Sequence, residues 1–361
     1  MKNKWIGWLL LFAFATAPAQ QYEPALPGYK FQFPRDYFNH EQYQTEWWYY
    51  TGNVRAQDGR RFGYELTFFR QGVSRATNSD PWYVHDLWMA HLALSDIGGQ
   101  HFYHEERLNR SGPGIAGVDA ASGLVWNGNW QAHIAQHEED LRGVGRNFTL
   151  SLKLVPMKPP VIQGQDGVSR KAAGVGHASH YYSMTRLLTS GSIDVNGNAY
   201  KVEGTSWMDH EFFTGSMAAD ESGWDWLSVQ FNDGSDLMLY RMRLKNGGID
   251  RYSSGNYVDA HGKSRFFPSR DFAMTPEGAE WISPVTKAAY PLRWHVSIPS
   301  LDLAFDVTTP LRSQEMTGKF GPSYWEGAVD VEGARAKSTV RGVGYLEMTG
   351  YAETGPQVIP Q

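Results

Sequence analysis

Residues Ser206 to Phe212 read SWMDHEF, which sets Asp209, His210 and Glu211 in a row between Trp207 and a Phe pair. Carboxylic acids and an imidazole among aromatics are the residue types of general acid/base chemistry. On a strand, Trp207, Asp209 and Glu211 share one face, with roughly 6.5 Å between alternate Cα atoms, and His210 points the other way with Met208 and Phe212. Two carboxyl groups on one face beneath a tryptophan are placed to raise one of their pKa values. The competing reading is a strand end or linker corner where the same groups cap backbone amides.

Other candidates are scattered along the chain. GHASHYYS supplies His180 and Tyr182 after a glycine-rich loop. His91 shares a strand face with Leu87, Met89 and Ala93, and reads as a core histidine or a cavity-lining one. Glu46 opens the run Trp47-Trp48-Tyr49-Tyr50. Arg70 ends the following strand, where a buried ion pair with Glu46 or Glu65 is the favoured reading. Trp48, Tyr50, Trp207 and Trp226 are candidate cavity walls. HFYHEE, from His101, lacks the zincin spacing and follows a Gly98-Gly99 turn, so no metal is assigned. No phosphate loop, dinucleotide fingerprint or G-x-S-x-G elbow occurs, so the chain calls for no cofactor.

These residues need strands to position them, and strands are what the pattern predicts. The 361 residues are 41% hydrophobic and 14% aromatic, with 38 Gly and 18 Pro. Asp58-Gly59 divides two aromatic runs, in the second of which Phe62, Tyr64, Leu66 and Phe68 share one face. Asn196-Gly197 and Asp233-Gly234 mark further hairpins. Single strands are expected at 87–94, 126–133, 148–154, 294–298, 301–307, 324–331 and 338–348, with residues 158–176 a loop. Helical periodicity is scarce, which argues for an all-β antiparallel sandwich or barrel.

The ends of the two halves match. Gly191-Ser-Ile-Asp-Val aligns with Gly327-Ala-Val-Asp-Val, and Trp207, Met208 and Asp209 fall on Tyr345, Leu346 and Glu347. This reads as a duplication, with one β domain over residues 20–213 and another over 214–361. The acid shared by Asp209 and Glu347 reads as architectural, and His210 and Glu211 as particular to the first half.

Lys2 and Lys4, the apolar run Trp5 to Phe14 and Ala17-Pro18-Ala19 read as a secretory signal peptide over residues 1–19. No later segment reads as a membrane span. The absence of cysteine excludes disulfides and thiolate metal sites. A net charge of −5 without a basic block gives no nucleic-acid footprint. The expected location is periplasmic or secreted.

TEWWYYTGNV, FGYELTFFR, the stretch from His91 to Asp96, HYYS, SWMDHEF, WDWLSVQFNDG, LMLYRMR, YWEGAV and GYLEMTGY together resemble the AttH / carotenoid 1,2-hydratase (hydroxyneurosporene synthase) family, over about residues 43 to 351. The resemblance implies two tandem lipocalin-like (calycin-type) β-barrels. It also implies a lipophilic ligand of terpenoid or lipid type. Family hydratases add water to an isolated carbon–carbon double bond, without a cofactor, by protonating the alkene. On that model Asp209 or Glu211 is the acid and His210 or His180 orients it, with tryptophans such as Trp48 and Trp207 facing the developing cation. The alternative is a non-catalytic carrier of a lipophilic ligand.

Overall fold

The computed structural model describes residues 21–352; the expected signal peptide lies outside the described residues. The first sheet is built from β1 (Thr45–Ala56), β2 (Arg61–Gly72), β3 (Asp86–Asp96), β4 (His101–Arg110), β5 (Ala116–Asp119), β6 (Leu124–Asn127), β7 (Trp130–Ile134), β8 (Glu139–Val144), β9 (Phe148–Pro156), β10 (Val161–Ile162), β11 (Ser169–Arg170), β12 (Ala178–Val195) and β13 (Asn198–Phe213). The second comprises β14 (Glu221–Phe231), β15 (Asp236–Leu244), β16 (Ser254–Val258), β17 (Ser264–Pro268), β18 (Ala273–Ile282), β19 (Ala289–Ile298), β20 (Leu303–Thr308), β21 (Glu315–Met316), β22 (Tyr324–Arg335) and β23 (Ser338–Met348).

The main path of the first sheet runs β4-β3-β2-β1-β13-β12-β9-β8-β7-β6-β5, and that of the second β17-β16-β15-β14-β23-β22-β20-β19-β18. In each, the first strand pairs with the last, and both sheets are antiparallel throughout. The first sheet curls into a nearly closed barrel and the second into a half-barrel. The first is drawn shut by side chains: Arg107 and Asn109 of β4 reach Asn127 of β6, which donates to the Trp88 carbonyl.

Turn chemistry explains most strand ends. Asn196 and Gly197 both have positive φ, at 54° and 82°, as a two-residue hairpin turn requires. The same chemistry corrects one expectation. Residues 126–133 are two strands, because Gly128-Asn129 turns the chain between the paired Asn127 and Trp130, with Gly128 at φ 62°. The loop at 158–176 carries the short strands β10 and β11, which pair with β12.

Phe62, Tyr64, Leu66 and Phe68 of β2 do share a face, packed inside the first barrel with Trp48, Tyr50, Trp88 and Leu92. Its interior is filled by side chains, including Phe31, Phe33 and Tyr37 from the lead-in segment. The outer face of β1, β2 and β13 is covered as well, by the second sheet. Tyr49, Tyr181 and Trp207 pack there against Trp226, Met238, Tyr240 and Tyr345. The approach is close: a Cβ on Gly63 would sit 2.7 Å from that of Ala328.

Candidate active site between the two sheets

Strand β13 places SWMDHEF with two buried faces. Tyr49 pairs with Asp209, Trp48 with His210 and Trp47 with Glu211 across β1. Trp207, Asp209 and Glu211 therefore face the second sheet, whereas Met208, His210 and Phe212 face the barrel interior. Asp209 and Glu211 line a cavity of about 150 Å³ between the two sheets. Trp47, Tyr49, Tyr181, Trp224, Trp226 and Tyr240 supply its aromatic walls, and Glu65, Glu347, His91, Tyr324 and Lys171 its other polar groups.

The acids here are in unequal states. Asp209 accepts hydrogen bonds from the Tyr181 hydroxyl and the Trp207 indole, both at 2.7 Å, and from Ser183. Burial nonetheless pushes its carboxyl up to about 7, outweighing those donors. Glu347 is pushed up to about 8, again by burial, with Glu65, Asp209 and Glu211 adding like charge. Glu211 instead forms an ion pair with Lys171 at 3.2 Å. Burial works against the Lys171 ammonium, but Glu211 and the Tyr240 ring, 4.1 Å away, hold its pKa above the ordinary value. The cavity thus joins one ion-paired carboxylate to two acids poised near neutrality, the asymmetry that separates a base from an acid.

His91 and Trp226 also line this cavity, and Trp207 sits behind it as a donor to Asp209. Glu46, Trp48, Tyr50, Arg70, Tyr182 and His210 lie on the other side of the sheet. There Glu46 accepts His40 at 2.7 Å, His210 at 2.9 Å and Arg70 at 3.0 Å. Burial opposes its ionisation, yet His40, His210 and Arg70 hold it well below the usual carboxylate range. Burial lowers the His210 pKa, which fits a neutral imidazole donating from Nε2 to Glu46. His40, Glu46 and His210 bring three ligand-type atoms within 4.8 Å of one another. Each of those atoms already has a hydrogen-bond partner, and the adjacent Arg70 guanidinium repels a second cation, so an ion-pair network accounts for the cluster. Tyr50 is tied to Glu139 at 2.7 Å. His180 stacks near Tyr29 and Phe212 with Nδ1 on the Gly167 carbonyl, and burial brings its pKa down to about 4.

Glu347 and Glu65 are absent from the set that sequence reasoning favours. The signal for Glu347 was its alignment with Asp209. The two aligned positions line one cavity between the sheets, so the acid is doubled there. For Glu65 the signal was alternation: it lies on the face of β2 opposite Phe62, Tyr64, Leu66 and Phe68.

The family model described as AttH-like matches residues 24–351. A dehydratase, asqC, from Emericella nidulans is 24% identical over 288 residues, spanning 73% of this chain and 77% of that protein. The crystal structure of a protein assigned as an AttH, from Nitrosomonas europaea, superposes with a TM-score of 0.81 at 32% identity, over 92% of this chain and all of the other (100%). Kievitone hydratase from Nectria haematococca shares the fold at a TM-score of 0.61 and 15% identity, over 92% of this chain and 98% of that one.

Proposed function

The chain belongs to the AttH-like family, and on that premise we propose that it adds or removes water at a carbon–carbon double bond of a lipophilic small molecule held between its two sheets. The observation that carries this reading is the convergence of Asp209, Glu211 and Glu347 on one aromatic cavity. The relative named a dehydratase supports it.

In the hydration direction, a neutral carboxyl of Asp209 or Glu347 gives its proton to one alkene carbon, forming the C–H bond. Water attacks the other carbon, forming the C–O bond, and its surplus proton passes to the Glu211 carboxylate. Dehydration is the reverse. The tryptophan and tyrosine rings present negative faces to the developing cation, and a buried, preorganised cavity strengthens each electrostatic contact. The chain needs no further group for this scheme. The signal-like N-terminus supports a periplasmic or secreted setting, where the ligand is a terpenoid- or lipid-like compound.

The test is incubation of the purified protein with small isoprenoid alkenes and β-hydroxyketones in ¹⁸O-labelled water. Protein-dependent ¹⁸O incorporation or loss of water is expected by mass spectrometry, and Glu211→Gln and whichever of Asp209→Asn and Glu347→Gln removes the proton donor are expected to reduce it by about 10²-fold or more. Retention of a bound lipid with no turnover of any compound, or unchanged rates in all three variants, would replace this reading by that of a carrier.

A further inference from the structure

Glu65 lies on the same face as Asp209 but two strands away, about 10 Å across the sheet. It pairs with Thr51, which pairs in turn with Trp207. The side chain is fully buried and lines the cavity. One oxygen accepts Thr67 at 2.8 Å and meets the Tyr324 hydroxyl at 3.3 Å. The other, Oε2, is buried and has no hydrogen-bond partner. An unpartnered buried carboxyl oxygen is costly unless something meets it.

Its surroundings make Glu65 adaptable. Tyr324 also lies 2.6 Å from His91 Nδ1. The phenol has one proton. Given to His91, it leaves the Tyr324 oxygen free to accept from a protonated Glu65; given to Glu65, it satisfies an ionised one. His91 is steadied in turn by Glu106, 3.5 Å from Nε2. Glu106 accepts the backbone amides of Lys319, Phe320 and Gly321. In both of these states Oε1 carries the Thr67 and Tyr324 contacts and Oε2 keeps a lone pair for a ligand hydroxyl, whereas a carboxyl protonated on Oε2 presents its O–H to a ligand carbonyl while Oε1 accepts from Tyr324.

We propose that Glu65, held by Thr67 and the Tyr324–His91 pair, docks a hydroxyl or carbonyl oxygen carried by the substrate at the side of the cavity remote from Asp209. The substrate class is then an apolar molecule with an oxygen function, and a bare hydrocarbon is disfavoured. This rests on the cavity being the binding site, but not on which acid delivers the proton.

The test compares toluene with p-cresol, since a cavity of this volume admits one benzene-sized ring. Affinities are measured on the full chain by calorimetry. The native protein is expected to bind p-cresol at least about tenfold more tightly than toluene, the scale of one well-placed hydrogen bond to a buried acid. Glu65→Leu should keep toluene binding and lose the preference, Tyr324→Phe should weaken the preference with packing retained, and Asp209→Asn should keep it. Equal native affinities for the two probes overturn the dock alone. So does a preference that survives both Glu65→Leu and Tyr324→Phe, or one that Asp209→Asn abolishes. Failure of both probes to bind the native protein overturns the cavity reading as well.

Discussion

Asp209 and Glu347 are buried acids whose proton affinity is set by the absence of water around them. Raised carboxyl pKa values have a definite consequence for stability. Asp209 has an ordinary value of 3.8 and is pushed up to about 7 in the folded chain. Between those values the folded state binds more protons than the unfolded one, so stability falls as pH rises. The contribution is complete below 3.8 and is lost as pH passes through 7. A single such group changes stability by up to about 1.4 kcal/mol per pH unit, less as it titrates near 7, hence about 2.3 kcal/mol between pH 5 and 7. Asp209→Asn removes the titration and should flatten the native protein's decline by about that amount in urea denaturation at the two pH values. A difference between variant and native that does not change with pH would mean that Asp209 is ionised throughout, which would disqualify it as the proton donor.

Strand β13 buries two faces against different partners, and the division is testable for that reason. The inner face holds the Glu46 network. Arg70 is nearly fully buried and donates to Glu46, to Asp86 and to the carbonyls of His40 and Tyr43. Arg70→Met leaves buried carboxylates without their cation and should cost about 3–5 kcal/mol of stability, read by chemical denaturation. Toluene binding should be unchanged, because Arg70 lies across the sheet from the cavity. The alternation of Trp207, Asp209 and Glu211 against His210 was legible in the sequence, as was the Glu46–Arg70 pairing. Which face carried the cavity was not. Trp48, Tyr50, Trp207 and Trp226 all read as cavity walls, although the first two face the barrel interior and the others the joint between the sheets. Here the lead-in phenylalanines and Tyr37 fill that interior, and the outer face is dry because a second sheet covers it. Residues 126–133 differ for a more local reason: the tryptophans on either side of Gly128-Asn129 outweighed a turn signal that the backbone obeys.

At the scale of the whole molecule, the two sheets repeat one strand order and bury equivalent faces against each other, which is why Asp209 and Glu347 meet. The match of the strand ends was visible in the sequence, but alignment cannot show that matched positions converge in space, so the shared acid read as architecture. The joint is held by polar links of very different burial. Tyr49 donates to Glu326 at 2.7 Å within it. At its edge Arg61 pairs with Asp330, both partly exposed. Deeper, Asp236 of β15 is fully buried and accepts Lys158 at 2.6 Å, Thr185 at 2.9 Å and the Arg186 guanidinium at 2.6 and 3.0 Å, all from the first half. Burial raises the Asp236 pKa, with Arg186 and Lys158 pulling it back down. An exposed pair contributes about 0–1 kcal/mol, whereas removing one charge from a buried cluster costs about 3–5 kcal/mol. Asp330→Asn should therefore leave both the denaturation midpoint and toluene affinity near native. Asp236→Asn leaves two cations facing a neutral amide across the joint, so it should lower the midpoint strongly. It should also weaken toluene binding, because the cavity exists only where the two sheets stay pressed together. A loss of stability in Asp236→Asn with native toluene affinity would show that the aromatic contacts of Tyr49, Tyr181 and Trp226 hold the cavity closed without the ion cluster.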